Sequence, residues 1–205
     1  MGILPSCRSD QGPVGAAIGL GANLPSAVGT PVQTLQAVRR PLQQLLSNHG
    51  AAGLTLRWSP LFRTTPVGGP ADQPDYLNAV LLVQGLRVPS QATAEALMVD
   101  LLALEQRFGR QRLERWGPRC LDLDLLWWGD LRCHTAVLQL PHPRLLERPF
   151  VLAPLAVLDP SLVPPAPGSP PCGSGRSVAA WLADLPPPLS EPPPQRLPPG
   201  PAWPE

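Results

Sequence analysis

The sequence predicts an α+β fold of the ferredoxin-like type, a βαββαβ sandwich in which helices pack on an antiparallel sheet. Two observations predict it. Short apolar segments with strand character alternate with two leucine-rich segments of helical spacing, in that order. Most prolines follow residue 159, which leaves a preceding segment of ordinary composition, long enough to bury one core.

The first half of the pattern contains a strand and a helix. Residues 14–20 form a short apolar strand. The next segment is predicted to be helical because its apolar residues recur at helical spacing. Pro41 lies inside that segment, so we expect the helix to kink or break near Arg40. The residues that carry the spacing are Leu35, Val38, Leu42, Leu45 and Leu46.

Two strands and a second helix come next. Residues 54–62 and 76–84 are predicted to be strands, joined by a loop rich in proline and glycine. The second helix begins near Ser90 or Thr93 and ends near Phe108. Its apolar face is formed by Leu97, Leu101, Leu104 and Phe108.

The last strand and two short helices complete the pattern. Residues 121–128 are predicted to form a central strand, and residues 150–158 a third helix, which Pro154 limits. Residues 177–185 have the spacing of one short amphipathic helix.

The proline distribution predicts the domain boundaries. Of the 31 prolines, 16 lie after residue 159, and triplets of proline favour extended chain without backbone donors. We therefore expect an N-terminal extension at 1–13, a single domain at 14–185 and an extended or disordered tail at 186–205.

Charge and composition exclude several classes of protein. The net charge of +1 is not typical of a nucleic-acid-binding protein. No apolar run reaches the roughly 20 residues that a membrane-spanning helix needs. The four cysteines form no C-x-x-C pair, which favours free thiols in a reducing compartment. We therefore expect a cytoplasmic protein that binds neither membrane nor nucleic acid.

A pair of aspartates marks a candidate metal site. Asp122 and Asp124 alternate with leucines, so both carboxylates project from one face of a strand and the leucines face a core. Side chains at this spacing lie roughly 7 Å apart. Mg²⁺ usually takes one or two carboxylates and completes its octahedron with water and phosphate oxygens. The pattern therefore favours a site for one or two divalent cations, over a strand that carries two aspartates by chance.

A cluster of arginines precedes the aspartates. Five of the 16 basic residues fall between Arg107 and Arg119, and the chain contains no lysine. Gly109, Gly117 and Pro118 interrupt this segment, so it is predicted to be a loop rather than one helix. Guanidinium groups bind phosphate oxygens in pairs. The cluster therefore indicates a polyphosphate site, although ion pairs with Glu105 and Glu114 are the structural alternative.

Two common nucleotide motifs are absent from the sequence. Gly19 and Gly21 follow a strand, but Leu24 stands where a dinucleotide fingerprint needs its third glycine. A P-loop requires a lysine, which the chain lacks. The arginine loop with the aspartate pair is thus the candidate nucleotide site.

At this point the motifs resemble a known family. R-W-G-P-R-C-L-D-L-D-L-L is similar to the signature of 6-hydroxymethyl-7,8-dihydropterin pyrophosphokinases. Three more segments resemble the same family in the same order: A-I-G-L-G-A-N-L, then S-P-L-F-R-T-T-P-V-G with D-Q-P-D-Y-L-N-A-V, and finally L-P-H-P-R-L-L-E-R-P-F-V-L-A-P-L. The resemblance covers about residues 14–160.

The resemblance implies an activity and a nucleotide site. Such enzymes transfer pyrophosphate from ATP, their co-substrate, to the pterin hydroxymethyl group and release AMP. Asp122 and Asp124 are implied to hold two Mg²⁺ ions, and Arg110 and Arg119 to act with them in catalysis. The other implied ATP contacts are Glu105, Arg112, Arg115, Trp116, His142 and Arg148.

The resemblance also implies a pterin site. Tyr76 and Phe150 would sandwich the ring, and Asn78 would bind its polar edge. Thr64, Thr65, Val67 and Trp116 complete the implied pterin contacts. We expect a monomer whose partners are these two small molecules.

Two other classes of function stay open at this point. A catalytically silent relative would bind ATP or pterin without turnover, although the intact aspartates and arginines argue against it. An RNA-binding protein would use the arginine loop beside exposed aromatic residues, but Tyr76 is the single tyrosine.

Overall fold

The computed structural model describes residues 14–111, 116–166, 175–186, 192–200 and 203. The first half contains β1 (Val14–Ala22), α1 (Pro31–His49), β2 (Gly50–Trp58), β3 (Phe62–Thr64) and β4 (Tyr76–Leu86). The second half contains α2 (Gln91–Arg107), β5 (Asp122–Trp128), β6 (Cys133–His134), β7 (Gln139–Leu140), α3 (Pro149–Leu158), α4 (Val178–Ala183) and β8 (Gln195–Arg196), with a short 3₁₀ turn at Leu145–Glu147.

The main sheet is antiparallel and follows the expected βαββαβ connectivity. β1 lies at its centre between β4 and β5, and β2 pairs with the far side of β4. The short strand β3 pairs with the beginning of β4, beyond the end of β2. Together with the helices packed on it, this sheet confirms the predicted α+β ferredoxin-like fold.

Apolar side chains on both faces of the sheet hold the layers together. One cluster joins the sheet to α1 and α2, through side chains such as Leu42 and Leu101. The other cluster joins the opposite face to α3 and α4, through Leu152 and Val178. The sheet is therefore covered on both faces, and the ends of its strands remain available for a site.

The helix α1 continues through Pro41, contrary to the expected break near Arg40. A proline in a helix interior removes one backbone hydrogen bond. Buried side chains on both sides of it, among them Val38 and Leu42, anchor the helix to the sheet. Thr30 caps the beginning of the helix together with Gln33. Packing thus outweighs the local cost of the proline.

The expected single strand over 54–62 is instead divided into β2 and β3. Ser59 and Pro60 lie in the interruption, and proline has no N–H to donate to a neighbouring strand. The Ser59 hydroxyl accepts a hydrogen bond from the N–H of Val80 at 2.9 Å, and the Ser59 N–H donates to the Val80 carbonyl. The bend therefore keeps its contact with β4 through a side chain.

The described C-terminal residues pack against the sheet. β8 pairs with β3, placing Arg196 opposite Phe62. Trp203 is buried in the same apolar cluster as α1. Within 192–200 the chain forms β8 and otherwise has no regular helix or strand. Among the described cysteines, Cys120 and Cys133 are free thiols, and Cys7 and Cys172 lie outside the described residues.

Candidate active site

The expected site residues meet in one cleft of about 310 Å³ at the end of the sheet. It lies where β1, β4 and β5 reach the loops after β3 and before β5. The residues expected there and found lining it are Thr64, Thr65, Val67, Tyr76, Asn78, Glu105, Arg110, Trp116, Arg119, Asp122, Asp124, His142, Arg148 and Phe150. Arg112 and Arg115, also expected there, lie outside the described residues.

The aspartate pair is positioned by the alternation of β5. Leu121, Leu123 and Leu125 are buried in the core, while Asp122 and Asp124 face the cleft. Across the sheet, Asp122 lies opposite Gly21 and Asp124 opposite Gly19. Because glycine has no side chain, these two positions leave open space beside the carboxylates.

Arginines bind both aspartates. Arg119 donates to one oxygen of Asp122 at 2.9 Å, and Arg110 donates to the other. Arg148 lies 3.4 Å from Asp124. These guanidinium groups offset the negative charge that two neighbouring carboxylates would otherwise build up. They also lie close enough to the carboxylates to bind the phosphate oxygens of a ligand that is held there with a cation.

Glu105 lies at the back of the cleft, where its carboxylate is almost wholly buried. It accepts hydrogen bonds from Arg110 and, at 2.7 Å, from the backbone N–H of Leu123, between the two aspartates. The expectation for Glu105 was a place on the nucleotide side. These contacts connect it to the strand and the arginine that form that side.

Asp124 is an unusual acid. Burial at the base of the cleft raises its pKa to about 6, and the charge of Asp122 adds to the effect, while Arg148, Arg110 and Arg119 oppose it. Its side chain still keeps 36% of its surface exposed, so the carboxylate can be reached from the cleft.

The donor set fits divalent metal bound together with phosphate. No group of three or more potential metal ligands occurs in the described part of the chain. Two carboxylates alone do not make a closed metal site, but Mg²⁺ commonly takes one or two carboxylates with substrate phosphates and water. A bound cation would also favour the ionised form of Asp124 and lower its pKa.

His142 is held as a neutral ring. Burial, and next the positive charge of Arg148, lower its pKa to about 4. Its Nδ1 accepts a hydrogen bond from the backbone N–H of Arg144 at 3.1 Å, which places the ring proton on Nε2. A neutral imidazole with Nε2–H is a hydrogen-bond donor without charge.

The opposite side of the cleft is formed by uncharged side chains. Asn78 is buried, and its amide donates to the Thr64 hydroxyl at 2.7 Å. Tyr76 donates to the carbonyl of Gly117 at 3.1 Å. The Tyr76 ring faces the Arg119 guanidinium at 5.6 Å, and the Phe150 ring faces that of Arg148 at 5.4 Å. Both expected aromatic residues thus line the cleft, each beside an arginine.

Trp116 lines the cleft from the loop before β5. Its side chain is 46% exposed, and its φ of +61° lies in the left-handed region, which a bulky residue rarely adopts. The Trp116 carbonyl accepts a hydrogen bond from the Gln73 side chain at 3.2 Å. The loop before β5 thereby contacts the loop between β3 and β4.

Sequence reasoning missed two positions that shape the cleft. Gly21 lies between Asn78 on one side and Asp122 on the other, so it joins the two halves of the site. Asn23 is buried; its side-chain oxygen accepts from the N–H of Arg119 at 2.7 Å, and its amide donates to a neighbouring loop. The signal was the G-L-G-A-N run, which entered above only as a segment of the family resemblance and as a rejected dinucleotide motif.

The family comparison agrees with this geometry. The model of the 7,8-dihydro-6-hydroxymethylpterin-pyrophosphokinase (HPPK) family matches residues 17–160. A 2-amino-4-hydroxy-6-hydroxymethyldihydropteridine pyrophosphokinase of Synechocystis is 41% identical over 155 residues, covering 75% of this chain and 71% of that protein. The Pseudomonas aeruginosa protein of the same name is 36% identical over 169 residues, covering 82% and 90%.

Solved structures show the same fold at low identity. A crystal structure of HPPK-DHPS from Plasmodium falciparum matches 85% of this chain with a TM-score of 0.52 and 10% identity. The chain spans 46% of that larger protein. The fold, the matched segment and the curated relatives agree. This chain therefore belongs to the 7,8-dihydro-6-hydroxymethylpterin-pyrophosphokinase family.

Proposed function

We propose that this chain transfers the diphosphoryl group of ATP to the hydroxymethyl group of 6-hydroxymethyl-7,8-dihydropterin and releases AMP, a step of folate biosynthesis. The observation that carries the proposal is the meeting of two unlike half-sites in one cleft. One half holds carboxylates and arginines, and the other holds a buried amide and two aromatic rings.

The charged half is the proposed nucleotide site. Asp122 and Asp124 would hold two Mg²⁺ ions, and Arg110, Arg119 and Arg148 would move from the carboxylates to phosphate oxygens as the ions enter. When bound, the ions would offset the charge of the phosphates and of the reacting oxygens. The further proposed ATP contacts are Glu105, Arg112, Arg115, Trp116 and His142.

The neutral half is the proposed pterin site. Tyr76 and Phe150 would take the flat ring between them, displacing the arginines that now face these rings. Asn78, fixed by Thr64, would bind the polar edge of the heterocycle. Thr65, Val67 and Trp116 would close the site from the loops.

The proposed reaction needs these groups in one orientation. The substrate hydroxyl attacks the β-phosphorus of ATP, a new O–P bond forms, and the bond to the α-phosphate oxygen breaks to release AMP. The hydroxyl proton passes to solvent. Arg119 lies beside both Asp122 and Tyr76, so it connects the phosphate side to the pterin side. Its position suits a group that stabilises charge on the transferring phosphates.

Several wider expectations are part of the same proposal. The chain would act as a monomer in the cytoplasm, without binding nucleic acid. The structure contains, in the ranges it describes, no helix long and apolar enough to cross a membrane. Light scattering of the purified protein and an RNA-binding assay test the first and last of these expectations.

AMP release is the direct test of the proposal. Purified protein with ATP and Mg²⁺ is assayed with and without 6-hydroxymethyl-7,8-dihydropterin, alongside Asp124→Ala. Pterin-dependent AMP formation that is lost in the variant supports both the activity and the carboxylate site. ATP binding without turnover would indicate a silent relative, and RNA binding without ATP binding would indicate the other alternative.

A further inference from the structure

The described C-terminal residues lie beyond residue 160, where the family match ends. They contact the short strand β3, which leads directly into the loop with Thr65 and Val67. β3 pairs with β4 over only three residues. A strand this short gains much of its order from what covers its other edge.

β8 covers that other edge. Arg196 lies opposite Phe62, and Gln195 lies opposite Arg63. The next residue, Leu197, donates its backbone N–H to the Leu61 carbonyl at 2.8 Å. β3 is therefore an interior strand of the sheet rather than an edge strand.

Trp203 anchors the end of this segment. Only 5% of its surface is exposed, and its indole N–H donates to the Ser59 carbonyl at 2.7 Å. Its ring packs edge-on against Trp58, with ring centres 5.8 Å apart. The Arg39 guanidinium lies over both rings, at 4.7 and 5.2 Å. The anchor thus holds the bend from which β3 begins.

A second contact region lies at the far end of β3. Pro192, Pro193 and Pro194 face the loop with Thr65 and Val67 across a cavity of about 150 Å³. Phe150 also lines this cavity, as do two leucines of the α4 region. The C-terminal segment therefore flanks the pterin-side loop as well as pairing with its strand.

We propose that the C-terminal segment, residues 192–200 with Trp203, is a positioning element for the pterin side of the cleft. It orders β3 and the following loop before substrate binds, and Trp203 is its anchor. The inference rests on the proposed pterin site. A loop that is already ordered loses little conformational entropy when substrate binds. The segment therefore increases pterin affinity without touching the substrate.

The test compares Trp203→Ala with Trp203→Phe, which keeps an aromatic ring. Pterin and ATP affinities are measured by calorimetry on the full chain, below the unfolding temperature of each variant. We expect Trp203→Ala to weaken pterin binding about threefold to tenfold, the range for ordering one or two loop side chains on binding. ATP affinity stays unchanged, and Trp203→Phe recovers most of the pterin affinity.

Leu46→Ala is the matched control for lost stability. Leu46 is fully buried on α1 and does not line the cleft. This variant lowers the melting temperature but leaves pterin affinity unchanged. Amide hydrogen exchange gives a readout independent of binding: in Trp203→Ala the amides of Thr64, Thr65 and Val67 exchange faster than in Leu46→Ala.

Two outcomes overturn the inference. One is equal weakening of pterin and ATP binding in Trp203→Ala, which would indicate a general loss of folded protein. The other is unchanged pterin affinity with unchanged exchange at Thr64. Asn78→Ala separates this failure from a failure of the proposed site: if Asn78→Ala also leaves pterin binding intact, the pterin site itself is wrongly placed.

Discussion

The two sides of the cleft keep their side chains in place by different means. On the charged side, Arg110, Arg119 and Arg148 are ion-paired with the carboxylates that are proposed to bind metal ions. On the neutral side, Asn78 and Thr64 bind each other, and packing from outside the cleft supports them. On the charged side the proposed ligand would replace ion pairs, whereas on the neutral side the hydrogen bond between Asn78 and Thr64 can stay in place while the arginines leave the two rings.

This difference teaches where stability and binding are separable. A substitution that removes a charged side chain from the charged side takes an ion-pair partner away from a buried group, so it lowers both folding stability and activity. A substitution on the second side removes a contact to ligand from a frame that other residues hold. The four predictions below test the comparison.

The largest expected effect belongs to Arg110→Ala. It removes the arginine that pairs with both the buried carboxylate of Glu105 and Asp122, and removing one partner of a buried pair costs about 3 kcal/mol of unfolding free energy. Urea denaturation measures this cost, and AMP release measures the accompanying loss of turnover. Arg144→Ala is the control, because the pair of Arg144 with Glu147 is largely exposed and changes stability little. Equal stability of the two variants would contradict the comparison.

Asn78→Ala should separate binding from folding. The loss of a buried hydrogen-bonding group that faces the ligand is worth about 1–3 kcal/mol, or roughly 5-fold to 150-fold in pterin affinity. Calorimetry should show ATP affinity unchanged. Thr64→Val, which removes only the group that orients Asn78, should have a smaller effect on the same measurement. An effect on ATP equal to that on pterin would show that the two sides are not independent.

Gly21→Ala tests the position where the sides join. An added Cβ would lie 3.2 Å from the Asn78 side-chain oxygen, so that amide must shift. At Gly19 the nearest atoms lie at 3.6 Å, an ordinary contact. We expect Gly21→Ala to raise the KM for pterin about threefold to tenfold, in line with a misplaced binding group. Gly19→Ala leaves it near the wild-type value, and similar KM values for both variants would refute the assignment.

At neutral pH the smallest expected effect concerns His142, whose protonation changes stability only at acid pH. Its pKa of about 4 means that the folded protein binds fewer protons than the unfolded chain between about pH 4 and 6.5. The contribution of His142 to stability is therefore full above pH 6.5 and falls as the pH drops through that window. Titration of the ring by NMR measures the pKa, and His142→Gln identifies the signal. A measured pKa above 6 would contradict the prediction that burial lowers the pKa of His142.

The sequence was informative where chemistry and periodicity coincide. The alternation around Asp122 and Asp124 predicted both the strand and the face of the carboxylates, because a strand with one buried face allows a single register. Pairing between segments that are distant in the chain could not be predicted from the sequence. Nothing local in residues 186–205 indicates that Gln195 and Arg196 pair with β3, since their composition favours extended chain without a partner.

The role of Gly21 was hidden for a related reason. A glycine after a strand is compatible with a turn, a phosphate loop or an open surface, and only the neighbouring strands decide among these. In the folded chain those neighbours are Asn78 and Asp122, which come from opposite sides of β1. The same holds for Asn23. Its side chain binds the backbone N–H of Arg119, which is almost a hundred residues away in the chain.

The charge balance of the cleft has a consequence for how its ligand arrives. The described residues that line it include four arginines, at 110, 119, 144 and 148, and four carboxylates, at 105, 122, 124 and 147. His142 is neutral, so the field that these described side chains project into solvent is weak. A nucleotide carrying its metal ions is itself nearly neutral. Its association rate should therefore depend little on ionic strength, and collision and fit, rather than long-range attraction, set the speed of capture.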